Sequence, residues 1–265
     1  MNIHPSAIVA PDARLGKGVI VGPGAIIEDN AEIGEETEIG AYAIISGHTT
    51  IGRTCRIFTG AVIGSPPQDL KYRDEKSFIR IGDRNTIREY VTINPATEEG
   101  AATSIGSDNL IMAYSHIAHN CTVGDRNVLA NNATLAGHVV IENNVVLGGL
   151  CALHQFCRIG SFAIIGGCSK ITQDILPYSL SDGRPARIYW LNRIGLKRHN
   201  FSKEALACLE KAYRIILRSR LNLSQAVEKI KQEVPSTPEV QYILQFIAGS
   251  SRGIALSRLS RNAAP

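Results

Sequence analysis

No apolar run in this 265-residue chain reaches the roughly 20 residues that a membrane-spanning helix requires. The opening residues, MNIHPSAIVAPD, contain no basic segment followed by an apolar stretch, so no export leader is expected and a cytoplasmic location is. The six cysteines, Cys55, Cys121, Cys151, Cys157, Cys168 and Cys208, include no C-x-x-C pair. That excludes the usual structural-zinc and dithiol redox patterns and leaves reduced, structural thiols as the expectation. What is present is ordinary in bulk, 44% hydrophobic and 20% charged residues, enough for a sizeable core. The net charge of +4 conceals an asymmetry: residues 184–265 hold 15 Lys and Arg against 5 Asp and Glu, leaving 13 against 19 before them. The tail is therefore +10 and the body −6. The tail's charge suggests an acidic partner; nucleic acid is one candidate, although no nucleic-acid-binding motif accompanies it.

The chain keeps a six-residue period. Stepping by six from Ile3 to Ile171 gives 29 positions, of which 26 are aliphatic and only Asp69, Glu75 and Glu99 are not. Four residues after each aliphatic stands a small or compact one, among them Ala7, Ala25, Thr37, Ala43, Ser115, Ala133 and Ala163, and Cys55, Cys121, Cys151 and Cys157 share this position. Packing, not metal or redox chemistry, explains cysteines placed at such intervals. The residue after the aliphatic is often Gly, and the next two positions are rich in Pro, Gly, Asp and Asn, the residues of turns. A short strand and a corner repeated every six residues make a parallel β-helix that buries one aliphatic per repeat. The pattern [LIV]-G-x-x-[small]-x resembles the hexapeptide-repeat family, and that resemblance implies an all-β, left-handed parallel β-helix with one triangular coil per three repeats.

Two interruptions, near 65–80 (SPPQDLKYRDEKSFIR) and near 94–103 (NPATEEGAAT), read as loops thrown out of the wall. The period stops after Pro177. Beyond it Ser202 is expected to cap a helix with apolar residues at 206, 209, 213, 216 and 217, Ser224 a second, and Thr237-Pro238-Glu239 a third that ends near Gly249. The expected division is a β-helix over 1–187 and a small C-terminal α-helical domain over 188–265.

With 18 residues per coil, residues 18 apart stack at roughly the 4.8 Å strand spacing. His119 then lies at an outward-pointing corner with Gly137 above it and Gln155 above that. Asn120 lies under His138, with Phe156 next, while His116 and His154 flank the same edge. Solvated corner residues account for any one of these histidines but not for four converging from neighbouring coils. A zinc site of the carbonic-anhydrase-like hexapeptide kind is one alternative, although the patch is rich in Asn and Gln and holds no carboxylate. General-base catalysis is the other: His119 beside the unobstructed N–H of Gly137 suits acyl transfer to a hydroxyl. No serine or cysteine nucleophile is evident, since Cys121 belongs to the inward position, so direct attack by a substrate hydroxyl is expected.

The series GSPPQDLKY, IGDRNTIRE, SHIAHNCTVG, LANNATLAGHV, HQFCRIG and GLKR, in that order and followed by a tail of this size, resembles the acyl-carrier-protein–UDP-N-acetylglucosamine O-acyltransferases of lipid A biosynthesis. The resemblance covers nearly the whole chain. It implies a cytoplasmic homotrimer with sites between neighbouring β-helices, moving an (R)-3-hydroxyacyl group from acyl carrier protein to the glucosamine 3-hydroxyl, with no cofactor beyond the phosphopantetheine arm of that carrier. It also implies His119 as general base and Gly137 as oxyanion-binding amide. His116, His138, His154 and Gln155 match substrate-positioning residues. Gln68, Asp69 and Lys71 match groups that reach the sugar nucleotide or donor, and Asn192 and Arg198 match uridine-diphosphate contacts. The chain departs from that family in carrying Asn120 where aspartate is common, Ile194 where glutamate is, and His199 where a second arginine is. Gly167 falls at the position implied to limit acyl length and leaves the groove open.

Overall fold

The computed structural model describes residues 2–256. Two-residue strands recur every six residues and stack into three parallel sheets of 11, 9 and 8 strands, the walls of a left-handed β-helix with a triangular cross-section. Most partners lie 18 apart, as in Val128↔Val146 and His116↔Thr134, which is one coil per three repeats. Along each wall the aliphatic and the small residue two places before it point inward, and the residue between them faces out. Ser115 and Ile117 are buried while His116 between them is half-buried. The small residue sits where the triangle narrows toward a corner, which sets its size. Several of these residues donate to a corner carbonyl of the coil above: Thr37 Oγ1 to Gly52 O at 2.8 Å, Cys55 Sγ to Gly82 O and Cys121 Sγ to Ala136 O, both at 3.2 Å. Burial raises the Cys121 thiol to about 12, so it is inert as a nucleophile at neutral pH.

Most corners turn on a residue with left-handed backbone, six apart along the chain: Asn120 (φ 59), Arg126 (φ 56), Asn132 (φ 61), His138 (φ 60), Asn144 (φ 56). Three edges result. One, the glycine edge, carries 112–114, 130–132, 148–150 and 166–168; the histidine edge carries 118–120, 136–138 and 154–156; the third carries 124–126, 142–144 and 160–162.

Both interruptions leave the wall at the histidine edge. Val62 pairs with Thr92 and Ile79 with Thr49, each an offset of 30, so the first insertion adds 12 residues; Ile79↔Thr103, an offset of 24, shows that the second adds six. The loops are slightly shorter than expected, because strands Phe78–Ile81 and Ala102–Ile105 begin inside the segments read as loop. Their alternating FIRI and ATSI patterns satisfy the inward–outward rule before the hexad aliphatics Ile81 and Ile105.

A hairpin that the period does not announce closes the upper end: strand Ser179–Gly183 joins the wall and pairs antiparallel with Ala186–Leu191, which runs across the 187/188 division. Helices α1 (Arg193–Arg198), α2 (Lys203–Arg218), α3 (Leu223–Glu233) and α4 (Pro238–Ala248) follow. Ser202 caps α2 and Thr237 caps α4, which ends at Gly249, while Leu206, Leu209, Tyr213, Ile216 and Leu217 form the buried face of α2. The expected cap at Ser224 is corrected. Asn222 caps α3 and shares a capping box with Gln225, so Ser224 is already inside the helix. No helix among the described residues is long and apolar enough to cross a membrane.

Candidate active site

The two loops fold back over the histidine edge. The corner of His119 is roofed, and the residue is only 6% exposed, so the outward-pointing side chain expected at this corner is not open to solvent. Asp69 comes down from the first loop, its Oδ2 lying 3.7 Å from His119 Nε2. Its other oxygen accepts the Lys71 N–H at 2.8 Å, an Asx turn that fixes the carboxylate. Glu98 comes from the second loop and accepts a hydrogen bond from Asn120 Nδ2. The patch therefore holds two carboxylates, both contributed by loops whose paths the hexad arithmetic does not describe. Even so, among the described residues no three His, Cys, Asp or Glu side chains stand close enough together to hold a metal ion.

The partners of Asn120 fix the tautomer of His119. The Thr97 N–H, which can only donate, points at Asn120 Oδ1 at 3.1 Å, and the Glu98 carboxylate, which can only accept when ionised, faces Nδ2. The amide therefore has one permitted orientation. Its oxygen lies 2.9 Å from His119 Nδ1, so Nδ1 must carry the hydrogen and the lone pair of neutral His119 is on Nε2, toward Asp69. Asn120 itself is held by its backbone N–H, which donates to Thr103 Oγ1 at 2.9 Å.

Gly137 sits against this ring. A Cβ built on it would lie 2.4 Å from His119 Cε1 and 2.5 Å from Nε2. Among the described residues the Gly137 N–H has no acceptor. That is common to amides at this corner position, and the imidazole beside it is what distinguishes this one. His138 meets His119 edge-on at 5.2 Å between centroids and stacks on Phe156 at 4.6 Å, which is the predicted column. His116 Nδ1 lies 2.7 Å from Thr92 Oγ1 on the outer wall face. Burial, and then the neighbouring His119, holds both His116 and His138 below the ordinary histidine value. The two are neutral props at pH 7.

The other predicted residues do not join this cluster within one protomer. His154 and Gln155 are exposed one coil beyond it, and Gln68 and Lys71 are exposed in the first loop. Gly167 lies on the glycine edge, 3.3 Å by its Cβ direction from Gly149 O. Asn192 belongs to the third edge, where Nδ2 donates to Phe162 O at 2.9 Å and Oδ1 accepts the Gly195 N–H at 3.0 Å as the cap of α1. Arg198 is exposed in the last turn of that helix, and His199 packs edge-on to Phe162 at 5.1 Å. Thr97, Glu98 and Thr92 are partners that sequence reasoning missed. The one available signal was that the chain breaks period at Asn94, on the same edge as His119.

Comparison with known proteins supplies the context. The chain is 48% identical over 254 residues, 96% of its own length and 98% of the relative's, to the acyl-[acyl-carrier-protein]–UDP-N-acetylglucosamine O-acyltransferase of Thermodesulfovibrio yellowstonii. It belongs to the UDP-N-acetylglucosamine O-acyltransferase family. Residues 174–255 match the family model described as UDP N-acetylglucosamine O-acyltransferase, domain 2, and residues 102–137 match bacterial transferase hexapeptide repeats. The solved UDP-N-acetylglucosamine acyltransferase of Francisella novicida superposes with a TM-score of 0.93 at 35% identity, covering 97% of this chain and 95% of that one. That of Moraxella catarrhalis gives 0.92 at 40% identity, covering 96% and 100%. The UDP-N-acetylglucosamine O-acyltransferase fold therefore extends through the hairpin and the helices as well as the repeats. Membership also makes the chain a transferase.

Proposed function

We propose that this chain transfers an (R)-3-hydroxyacyl group from acyl carrier protein to the glucosamine 3-hydroxyl of UDP-N-acetylglucosamine, in the cytoplasm, as a step of lipid A biosynthesis. The observation that carries the mechanism is the bare Nε2 of His119, held by the Nδ1–H bond to Asn120 next to the unpaired Gly137 N–H. In this reading Nε2 takes the proton of the sugar hydroxyl as its oxygen attacks the thioester carbonyl. The new C–O bond forms, the Gly137 N–H takes the charge on the carbonyl oxygen, and the C–S bond breaks. The proton passes from His119 to the departing phosphopantetheine thiolate. Asp69 is placed to accept from the sugar and to orient it.

The remaining assigned residues support a homotrimer. Gly167 and Asn192 lie on the two edges that do not carry His119, and packing protomers side by side is the way to bring such edges to it. Tyr42, Tyr90, Tyr114 and Leu150 are exposed along the glycine edge, Tyr90 and Tyr114 stacked on each other, and a neighbouring protomer would cover them. Arg198 would then meet the diphosphate, Asn192 would frame the uridine end, and Gly167 would leave room for a long chain.

Purified protein incubated with UDP-N-acetylglucosamine and a panel of acyl-carrier-protein thioesters, followed by mass spectrometry, should show one acyl group added to the sugar nucleotide. H119A should lower kcat/KM at least ~10²-fold with the protein still folded. No acylated product from any thioester would refute the proposed reaction, and near-normal turnover in folded H119A would refute the base.

A further inference from the structure

We propose that Glu98 is a positioning residue for His119: together with Thr97 it holds the Asn120 amide that orients the imidazole, and it supplies the negative charge that the imidazolium needs. This rests on the reading of His119 as general base.

Asn120, the partner of His119 Nδ1, is a neutral amide, and a neutral amide alone cannot stabilise a cationic ring. The structure places a carboxylate one hydrogen bond further out. Asn120 Nδ2 donates to Glu98, and the same amide's oxygen accepts from His119 Nδ1 at 2.9 Å. A carboxylate that accepts from one end of an amide makes the oxygen at the other end a better acceptor, because hydrogen bonds in a chain polarise one another. Oδ1 also receives the Thr97 N–H at 3.1 Å and Oγ1 at 3.0 Å, so the amide cannot turn without losing both ends of its network. The hydrogen bond to Asn120 holds the Glu98 carboxyl below its usual range, so it is ionised at neutral pH.

The pairing is selective. Glu99, the next residue, directs its carboxylate to the Lys76 N–H at 2.8 Å, where it ties the second loop to the first. Of the two adjacent glutamates only Glu98 meets Asn120. The other charged or titratable groups facing His119 are Asp69 at Nε2, His138 at the ring edge and His116 on the adjoining strand. Asp69 approaches the nitrogen that must receive the substrate proton, and the two histidines carry no negative charge, which leaves Glu98 as the acid on the Nδ1 side.

The test is E98Q, which keeps an acceptor for Asn120 Nδ2 and removes only the charge, with E99Q as control. In E98Q the acidic limb of kcat/KM should move to lower pH by a few tenths to about one unit, and kcat on the plateau should fall roughly three- to tenfold, because the imidazolium is less stabilised. E99Q should leave the limb in place. N120D in the E98Q background should move the limb back up by putting a carboxylate directly on Nδ1. Nitrogen-15 NMR of the imidazoles gives a readout independent of turnover: the His119 Nδ1–H resonances should move in E98Q and stay in place in E99Q. Coincident acidic limbs for folded E98Q and the parent, or Nδ1–H resonances that E98Q leaves in place, would overturn the assignment to Glu98. If H119A itself retains activity, the base reading fails instead, and the two failures are distinguished by that one variant.

Discussion

Gly137 shows how tightly the site is drawn at the level of single atoms. An added Cβ would sit 2.4 Å from the His119 ring, a distance at which something must move, and the ring is held by Asn120 on its far side. G137A should therefore cut kcat/KM by about 10²-fold or more through misplacement of the imidazole, with KM for the sugar nucleotide changed far less; steady-state kinetics on the folded variant checks this. His116 and His138 yield a second expectation, about pH. Their folded values lie below the ordinary 6.5, so between those values and 6.5 the unfolded chain binds more protons than the folded one. Stability thus rises with pH through that window and is lost as pH falls below about 6.5. Denaturant midpoints at about pH 7.5 and 5.5 should differ in that direction, and H116Q should reduce the difference. At this scale the sequence was legible in part. Stacking by 18 placed His119 beside Gly137 and Asn120 under His138, because coil geometry is rigid. Glu98, Thr97 and the roof over His119 were not legible, because they depend on loop conformations that no period encodes.

Among the elements, the helical tail tests how local chemistry sets boundaries. Asn222 accepts the Gln225 N–H at 2.9 Å, and Gln225 Oε1 accepts the Asn222 N–H at 3.1 Å. N222A should cost about 1 kcal/mol, and S224A should cost much less, which chemical denaturation will measure. Ser224 was an attractive cap on paper because Ser-Gln-Ala-Val begins an apolar period. Asn222 wins because its capping box satisfies donors at both ends of the first turn, two residues earlier. The walls were readable almost completely, since 26 aliphatics at one spacing admit a single fold. The hairpin of Ser179–Gly183 and Ala186–Leu191 and the six-residue α1 were not. The hairpin breaks the parallel rule, and α1 is shorter than two helical turns and carries no apolar period.

At the scale of the molecule, charge separation suggests how the donor is captured. The tail carries +10, of which Arg258 and Arg261 lie outside the described residues, against −6 in the body. An acidic acyl carrier protein would be drawn to it, so the donor KM should rise between low salt and ~0.5 M salt while the binding of an uncharged analogue stays level. A flat KM would remove that explanation of the tail.

The two excursions from the histidine edge start and finish at points fixed by the wall. A chain closing between fixed anchors spends entropy only logarithmically in its length, about 0.6 kcal/mol per doubling. Specificity and scaffold are thus separable commodities in this fold: the walls demand an aliphatic every sixth residue, whereas the roof over the base can be lengthened, shortened or exchanged at little thermodynamic cost. Deleting residues 65–76 rejoins Gly64 to Ser77 and puts Ile81 six residues after Ile63, so the coil closes in register. The shortened protein should still fold but melt below the parent in a thermal scan, because buried Asn94 Nδ2 loses its acceptors on Ser65 and Pro66, and it should lose acceptor binding with Asp69 gone. An architecture of that kind lets a lineage search new acceptors without risking its fold.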